Sequence, residues 1–162
     1  MNKAVFIDRD GVINNDSNHY YIYKIEDFNI NTGIIDALKI LVKNGYLLIG
    51  ITNQGGISKN IYTKTDVEVV HDFFNKTMLN NSIEFSEIYY CPHHSDIENC
   101  LCRKPNSLML EKAIARFNID VTKSFLIGDS SRDIEAGKKV GLTCFKINAN
   151  ENILPICESI VK

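Results

Sequence analysis

Apolar residues along the chain fall into short continuous runs, separated by longer segments in which apolar positions recur at helical spacing. The runs are "AVFI" from residue 4, "YLLIGI" from residue 46, "EIYY" from residue 87, "SFLIGD" from residue 124 and "TCFKI" from residue 143. Runs of this length, rich in β-branched and aromatic side chains, are typical of buried strands. The pattern therefore predicts a strand at each run.

The segments between these strands predict four helices. In the first, Ile34, Ile35, Leu38, Leu41 and Val42 share one face. We expect Asn31 or Thr32 to cap its start and Asn44-Gly45 to end it. The other helices are expected near 65–79, 107–117 and 131–140. In the second helix the side chains expected to face the core are Val67, Val70, Phe73, Phe74 and either Met78 or Leu79.

Strands that alternate with amphipathic helices predict an α/β fold, a Rossmann-like parallel sheet with helices on both faces. Ligands of such sheets bind beyond the carboxyl ends of the strands. Asp8 and Asp10 follow the first predicted strand, Thr52 and Asn53 follow the second, and Asp129 follows the fourth. The fold thus brings the strongly polar clusters to one sheet edge.

The stretch "VFIDRDGV" is open to two interpretations when taken alone. It is either a polar turn that ends at Gly11, or a pair of carboxylates held at a strand end for a ligand. The convergence of Asp8 and Asp10 with polar residues from two other strand ends favours the ligand site.

Composition is ordinary for a globular protein and narrows the classes of partner. The 162 residues are 44% hydrophobic and 23% charged, with a net charge of −2. We therefore expect one domain over residues 1–162 and no nucleic-acid partner. No apolar run approaches the roughly 20 residues of a membrane span, and no signal-peptide pattern opens the chain. The expectation is a cytoplasmic protein without a membrane partner.

The residue types at the predicted sheet edge are those of phosphoryl transfer. Converging carboxylates repel one another unless a cation is bound, and oxygen ligands favour Mg²⁺. The turn Asn53-Gln54-Gly55-Gly56 offers backbone N–H groups to an anion, and Lys104 adds a positive charge. Within "DRD", Asp8 and Asp10 divide into a nucleophile and a general acid–base.

The segment "CPHHSDIENCLCRKP" has the ligand types and spacing of a zinc site. Cys91, Cys100 and Cys102, with a histidine, supply the four ligands of a tetrahedral Zn²⁺. From spacing alone, either His93 or His94 can be the fourth ligand. The alternative is a set of unrelated thiols, but a polar loop gives cysteine no packing role. Because all four positions are filled by protein, the zinc would be structural. Cys144 and Cys157 are expected to be core or incidental.

The motifs "DRDGV", "TNQGG", "RKP" and "GDSSRD", in this order over residues 4–148, resemble those of the haloacid dehalogenase superfamily of phosphatases. The resemblance implies that Asp8 forms an aspartyl-phosphate and that Asp10 protonates the leaving oxygen. Thr52 and Asn53 would hold the phosphoryl group and Lys104 would stabilise it. The implied Mg²⁺ ligands are the Asp8 side chain, the Asp10 backbone carbonyl and Asp129. Asp133 would support the site from behind, or be a solvated helix residue. Arg9 is expected to point to a structural carboxylate or to substrate.

The zinc loop and "DRDG" together resemble the branch of this superfamily that acts on heptose bisphosphates and on histidinol phosphate. That branch selects His93 as the zinc ligand. It lacks a cap domain, and neither 12–30 nor 56–90 is long enough to form one here. The expected activity is Mg²⁺-dependent hydrolysis of the 7-phosphate of a heptose 1,7-bisphosphate on the route to nucleotide-activated heptose. Histidinol phosphate or another small sugar phosphate is the alternative substrate.

The same resemblance implies the residues that contact substrate. They are expected to be Asp16, His19, Tyr20, Tyr21, Thr52, Asn53, Gln54, Gly55, Arg103 and Lys104. His19, Tyr20 and Tyr21 can equally be an exposed aromatic turn. Two departures concern the sugar side: Asn106-Ser107-Leu108-Met109 stands where heptose enzymes have a Pro-Gly-Met run, and Ser130 stands where they often have lysine. A phosphotransferase and a non-catalytic zinc-stabilised module are the other classes considered. We expect a monomer.

Overall fold

In the computed structural model, which describes residues 1–162, five parallel strands form one sheet in the order β3-β2-β1-β4-β5. The strands are β1 (Lys3–Ile7), β2 (Tyr46–Asn53), β3 (Phe85–Cys91), β4 (Phe125–Gly128) and β5 (Thr143–Lys146). β1 pairs with β2 on one side and with β4 on the other. The strand order therefore reverses at β1, and the residues that follow β1 lie at the switch point where ligands of such sheets bind.

Five helices cover the sheet: α1 (Ile34–Lys43), α2 (Lys64–Leu79), α3 (Leu108–Phe117), α4 (Ser131–Lys139) and α5 (Leu154–Ile160). Short 3₁₀ turns lie at Ile25–Asp27 and Val121–Lys123. The predicted parallel sheet with helices on both faces is confirmed. Residues 12–30 form a loop with one 3₁₀ turn, and residues 56–90 form α2 and β3, so neither segment adds a cap domain.

The core consists of two layers, one on each face of the sheet. Val5 and Ile7 pack with apolar residues of α1, α2 and α5, whereas Ala4 and Phe6 pack with those of α3 and α4. Side chains alternate between the two faces of a strand, and both faces of β1 are covered. This double burial explains why β1 is a continuous apolar run.

Three details differ from the sequence-based expectation. The N-cap of α1 is Gly33, at φ 83°, because the amide of Asn31 instead donates to the carbonyl oxygen of Val12 and is buried there. In α2, Phe73 lies at the surface and His71 is buried, whereas the expectation that either Met78 or Leu79 faces the core is met by Met78. α5 was not predicted, since Pro155 and a short apolar segment gave no clear period.

None of the helices combines the length and the apolar character that crossing a membrane requires.

Candidate active site and metal-ligand clusters

A cleft of about 170 Å³ lies at the carboxyl ends of the strands. It is lined by nearly all the residues predicted for the site: Asp8, Asp10, Asp16, Tyr20, Tyr21, Thr52, Asn53, Gln54, Gly55, Arg103, Lys104 and Asp129. His19 is not among them. Its Nε2 atom lies 3.3 Å from Oδ1 of Asp27, and half of its side chain is exposed. The fold therefore brings the predicted catalytic residues together and leaves His19 outside.

Lys104 is a buried cation between two carboxylates. Its Nζ atom lies 2.8 Å from Oδ1 of Asp8 and 2.6 Å from Oδ1 of Asp133, and it donates to the carbonyl oxygen of Ile51 at 3.0 Å. Asp133 is itself buried and accepts the Ser130 N–H at the start of α4. The solvated-residue alternative for Asp133 is therefore wrong, because its carboxylate positions Lys104 beside Asp8.

The site carries more negative than positive charge. Burial raises the pKa of Asp8 well above its usual value, and the neighbouring Asp133 adds to the rise. Burial and Asp133 also raise the pKa of Asp129. For Lys104, burial alone would lower the pKa, but the Asp8 and Asp133 carboxylates outweigh it and the pKa is raised. One lysine thus faces three carboxylates, which favours the binding of a further cation.

The carboxylate oxygens of Asp8, Asp129 and Asp133 lie within 4.8 Å of one another. Gly11 makes this approach possible: it has φ 81°, and a Cβ atom there would meet Oδ2 of Asp129 at 2.3 Å. The two Asp133 oxygens are taken by Lys104 and by the Ser130 N–H, which leaves oxygens of Asp8 and Asp129 for an ion. Oxygen donors with an excess of negative charge fit Mg²⁺. The Asp10 side chain is not part of the cluster, and metal binding by its backbone carbonyl stays a prediction.

The Asp10 carboxylate is held by donors from three directions. Oδ1 accepts from Nε of Arg9 and from the amide of Asn14, each at 3.0 Å. Oδ2 accepts from Nη2 of Arg9 and from the amide of Gln54, each at 3.0 Å. Arg9 was expected to reach a structural carboxylate or substrate. It instead pairs with the predicted general acid–base.

The polar side chains of the "TNQGG" turn bond to other groups of the protein, including the Asp10 carboxylate described above. Gln54 donates to Oγ1 of Thr52 and accepts the hydroxyl proton of Tyr62 at 2.7 Å. Asn53 bonds both to the N–H and to the carbonyl oxygen of Lys104. The amide groups of Asn53 and Gln54 therefore shape the cleft from within. The Gln54 N–H donates to the carbonyl oxygen of Cys91, so the N–H groups of Gly55 and Gly56 are those that the turn leaves for an anion.

Two arginines line the cleft without an ion-pair partner. Arg103 donates from Nη1 to the carbonyl oxygen of His93 at 2.9 Å, and Arg132 makes no salt bridge. A Cβ atom on Gly55 would meet Nη1 of Arg103 at 2.9 Å and the ring of His94 at 2.8 Å. Glycine at 55 thus lets Arg103 and His94 approach the "TNQGG" turn.

The loop after Asp10 forms another wall of the cleft. The Asp16 carboxylate accepts from the side-chain amide of Asn150 at 3.0 Å, and the Asp16 N–H donates to the same residue. Tyr21 packs edge-on against Tyr62, while Tyr20 is 81% exposed beside the cleft. Asp16 and Tyr21 have fixed positions, and Tyr20 is free to meet a ligand.

Cys91, His93, Cys100 and Cys102 form a second cluster, beside the loop that carries Lys104. Their ligand atoms lie within 4.8 Å of one another, and all three cysteines are free thiols. The sulfur–sulfur distances are 3.1, 3.6 and 3.7 Å. Tetrahedral Zn²⁺ with bonds of about 2.3 Å would separate its sulfur ligands by roughly 3.8 Å. Two of the three distances are near this value and the third is shorter, so the cluster is compatible with zinc. His93, and not His94, is the histidine of the cluster.

The sequence-based reading missed several residues of the site. Tyr62 and Asn150 reach the cleft or its walls from loops, where no motif marks them, and Arg132 reaches the cleft from the start of α4. His71, in the interior of α2, contacts Arg9 at 3.2 Å. The one available signal was Arg132, a charged residue inside "GDSSRD".

Comparison with known proteins identifies the family. The HAD-hydrolase-like family model matches residues 101–149. The D-glycero-beta-D-manno-heptose-1,7-bisphosphate 7-phosphatase of Haemophilus influenzae is 40% identical over 142 residues, covering 85% of this chain and 76% of the relative. The D-glycero-alpha-D-manno-heptose-1,7-bisphosphate 7-phosphatase of Campylobacter jejuni is 42% identical over 135 residues, covering 83% and 76%.

A solved structure agrees on the fold. The crystal structure of D,D-heptose 1,7-bisphosphate phosphatase from B. bronchiseptica, complexed with magnesium and phosphate, matches with a TM-score of 0.85 at 24% identity, covering 96% of this chain and 86% of that one. This shared fold agrees with the two relatives, with the ordered motifs and with the cleft that the motifs form. The chain belongs to the haloacid dehalogenase superfamily of hydrolases, in the same family of phosphatases as these relatives.

Proposed function

We propose that this protein is a Mg²⁺-dependent phosphatase that hydrolyses the 7-phosphate of D-glycero-D-manno-heptose 1,7-bisphosphate. The observation that carries the proposal is the complete set of Asp8, Asp10, Lys104 and Asp129 in one cleft, in a chain about 40% identical to phosphatases named for that substrate. A non-catalytic module would have no use for a buried lysine between carboxylates, because such groups are costly to bury.

Asp8 is the nucleophile in this proposal. Its Oδ1 atom accepts the Arg9 N–H at 2.7 Å and pairs with Lys104, so Oδ2 is the oxygen without a protein donor. Oδ2 attacks phosphorus, the bond between phosphorus and the sugar oxygen breaks, and an aspartyl-phosphate forms. Asp10 must enter this step protonated, which requires that one of the donors now facing its oxygens withdraws. It then gives that proton to the departing sugar oxygen.

Hydrolysis of the aspartyl-phosphate returns the enzyme to its starting state. Asp10, now a carboxylate, takes a proton from water as the water attacks phosphorus, and Asp8 leaves. Lys104 and the backbone N–H groups after Thr52 neutralise charge on the phosphoryl oxygens. Asp133 keeps Lys104 in place through the ion pair between its carboxylate and Nζ of Lys104.

The carboxylates of Asp8 and Asp129 and the backbone carbonyl of Asp10 are the proposed Mg²⁺ ligands, and the excess of negative charge at the site supports this. When bound, the ion supplies charge neutralisation to the phosphoryl group. Zn²⁺ is proposed at the four-residue cluster, where it would hold the loop before Arg103 and Lys104. One chain supplies every residue of the cleft, so we propose that a monomer is active.

A bisphosphate suits the cleft better than histidinol phosphate. Lys104 serves the phosphoryl group being transferred, while Arg103 and Arg132 have no carboxylate partner. Arginine binds a second phosphate well because its planar fork matches two oxygens. The amine of histidinol phosphate would gain nothing from either arginine.

The test is a phosphate-release assay of the purified protein with Mg²⁺. The substrates are the alpha and beta anomers of heptose 1,7-bisphosphate, histidinol phosphate and fructose 1,6-bisphosphate, each with and without EDTA. We expect EDTA-sensitive release of one phosphate from a heptose bisphosphate, at a higher kcat/KM than from the other substrates. Faster turnover of histidinol phosphate would contradict the proposal. Transfer to an added alcohol without release of inorganic phosphate would instead indicate a phosphotransferase.

A further inference from the structure

We propose that Arg9 and His71 act together as positioning residues for Asp10, so that a histidine outside every catalytic motif controls the general acid. The inference rests on the proposed function, because it assumes that Asp10 protonates the leaving oxygen. The observation behind it is a continuous buried chain of contacts from α2 to the Asp10 carboxylate.

Arg9 uses its guanidinium entirely inside the protein. The side chain is 1% exposed, and its Nε and Nη2 atoms donate to the two oxygens of Asp10. Nη2 also donates to the carbonyl oxygen of Ile22 at 2.6 Å. The planar fork therefore fixes the plane of the Asp10 carboxylate. A lysine would supply the charge but not this orientation.

His71 supplies the acceptor for the remaining edge of the guanidinium. Its Nε2 atom lies 3.2 Å from Nη1 of Arg9, and arginine can only donate. Nε2 must therefore carry a lone pair, which places the single proton of a neutral imidazole on Nδ1. The ring is buried and packs edge-on against Tyr90 of β3. His71 thus ties Arg9 to α2 and to the sheet.

Loss of the contact between His71 and Arg9 should affect one step of the reaction, the protonation of the leaving oxygen, and not the attack by Asp8. Arg9 without its His71 acceptor has a buried N–H unpaired and is free to tilt, and the Asp10 carboxylate tilts with it. Protonation of the leaving oxygen then suffers, while attack by Asp8 does not depend on this contact. Substrates whose leaving group departs as an alkoxide need the proton. p-Nitrophenyl phosphate does not, because its phenolate is stable as an anion.

The experiment compares kcat/KM for heptose 1,7-bisphosphate, the sugar phosphate, with kcat/KM for p-nitrophenyl phosphate. Both are measured in His71→Leu, His71→Gln and the wild type. His71→Leu should lose roughly 10- to 100-fold on the sugar phosphate but less than about 3-fold on p-nitrophenyl phosphate. His71→Gln offers an oxygen acceptor to Arg9 and should recover most of the loss. Val70→Ala, a core substitution in the same helix, is the control for simple destabilisation and should leave the ratio of the two kcat/KM values unchanged.

A second measurement does not depend on turnover. A ¹⁵N-resolved NMR spectrum of the imidazole should show His71 protonated on Nδ1 and not on Nε2 at neutral pH. Equal losses on both substrates, or an Nε2-protonated ring, would overturn the inference. A wild-type enzyme that hydrolyses neither substrate would refute the proposed function itself, which is a different outcome from equal losses in an active enzyme.

Discussion

Asp8 is held at its working position by contacts from three parts of the chain. The Arg9 N–H fixes Oδ1 locally, and Asp133 holds Lys104 from α4. Lys104 approaches Asp8 from the loop between β3 and α3, which carries the proposed zinc ligands and is called the zinc-cluster loop below. The proposed nucleophile is therefore oriented before any ligand binds, which is the condition for catalysis by positioning.

Replacing Asp8 by asparagine should abolish turnover and leave the fold intact. An amide oxygen cannot attack phosphorus, but its size is unchanged and Lys104 keeps Asp133 as its partner. Phosphate release and far-UV circular dichroism of the variant measure the two parts of this prediction. Asp36→Asn, an exposed substitution in α1, is the matched control and should keep wild-type activity. Hydrolysis near the wild-type rate by Asp8→Asn would remove Asp8 from the nucleophile role.

His71 makes the stability of the protein depend on pH in a defined window. Burial, with a further contribution from Arg9, lowers the pKa of His71 from 6.5 to about 3. Between these values the unfolded chain binds a proton that the folded protein does not, so stability is lost as pH falls. In this window the free energy of unfolding falls by about 1.4 kcal/mol for each unit by which the pH falls.

Urea unfolding at pH 6.5 and pH 4.5 tests this dependence. The wild type should lose about 2 kcal/mol more than His71→Gln over that interval, since glutamine does not titrate and all other groups are shared. An equal loss in the two proteins would show that His71 is protonated in the folded state.

At the scale of elements, periodicity predicted the strands and the first four helices to within a few residues. It succeeded because a parallel sheet buries both faces of its strands and one stripe of each helix. Prediction from periodicity failed where contacts between distant parts of the chain determine a helix cap or whether a helix forms. Asn31 bonds to Val12 instead of capping α1, and α5 depends on packing of Cys157 and its neighbours against α1.

The motifs predicted which residues line the site, but not what each side chain contacts. As predicted, Asp8 follows β1 and Asp129 follows β4, while Lys104 lies in the loop between β3 and α3. Asn53 and Gln54 bond within the protein, and this depends on the approach of Lys104 and Tyr62 from distant segments. The role of Arg9 could not be read from "DRD", because its partners Ile22 and His71 lie 13 and 62 positions further along the chain.

The loop between β3 and α3 is the element whose order we expect to depend on metal. Its four cluster residues carry three thiols and an imidazole, and Arg103 N–H contacts Sγ of Cys100 at 3.3 Å. Protein prepared without chelators should contain one zinc per chain by elemental analysis. Removal of the zinc should increase hydrogen exchange over residues 91–104 and lower activity, because Arg103 and Lys104 lose their support.

Cys102→Ser should reproduce the effect of zinc removal, whereas Cys144→Ser, outside the cluster, should not. A protein that contains no zinc yet keeps an ordered loop would contradict the prediction. Added Mg²⁺ should not restore the loop, since thiols are poor ligands for magnesium.

For the whole molecule, the absence of a cap domain leaves substrate selection to loops around the cleft. These loops place unlike charges in different parts of it. Burial, Asp133 and the nearby Asp16 raise the pKa of Asp129. Arg103, by contrast, lies against Gly55 and donates to the carbonyl oxygen of His93. A sugar with hydroxyls at one end and a second phosphate at the other matches this division of charge.

Removing Arg103 should therefore weaken turnover of a bisphosphate more than that of a monophosphate. Arg103 is half-buried, and charge-assisted hydrogen bonds to a second phosphate contribute about 2 kcal/mol, so Arg103→Ala should lower kcat/KM for heptose 1,7-bisphosphate by roughly 30-fold. Heptose 7-phosphate, which lacks the second phosphate, should lose less than about 3-fold. Arg103→Lys keeps the positive charge but not the planar guanidinium. Its kcat/KM for heptose 1,7-bisphosphate should therefore lie between those of the wild type and Arg103→Ala. Arg116→Ala, whose guanidinium pairs with Glu87 away from the cleft, is the charge-matched control. Equal losses on both substrates would mean that Arg103 supports the zinc-cluster loop through the His93 carbonyl and does not bind the second phosphate.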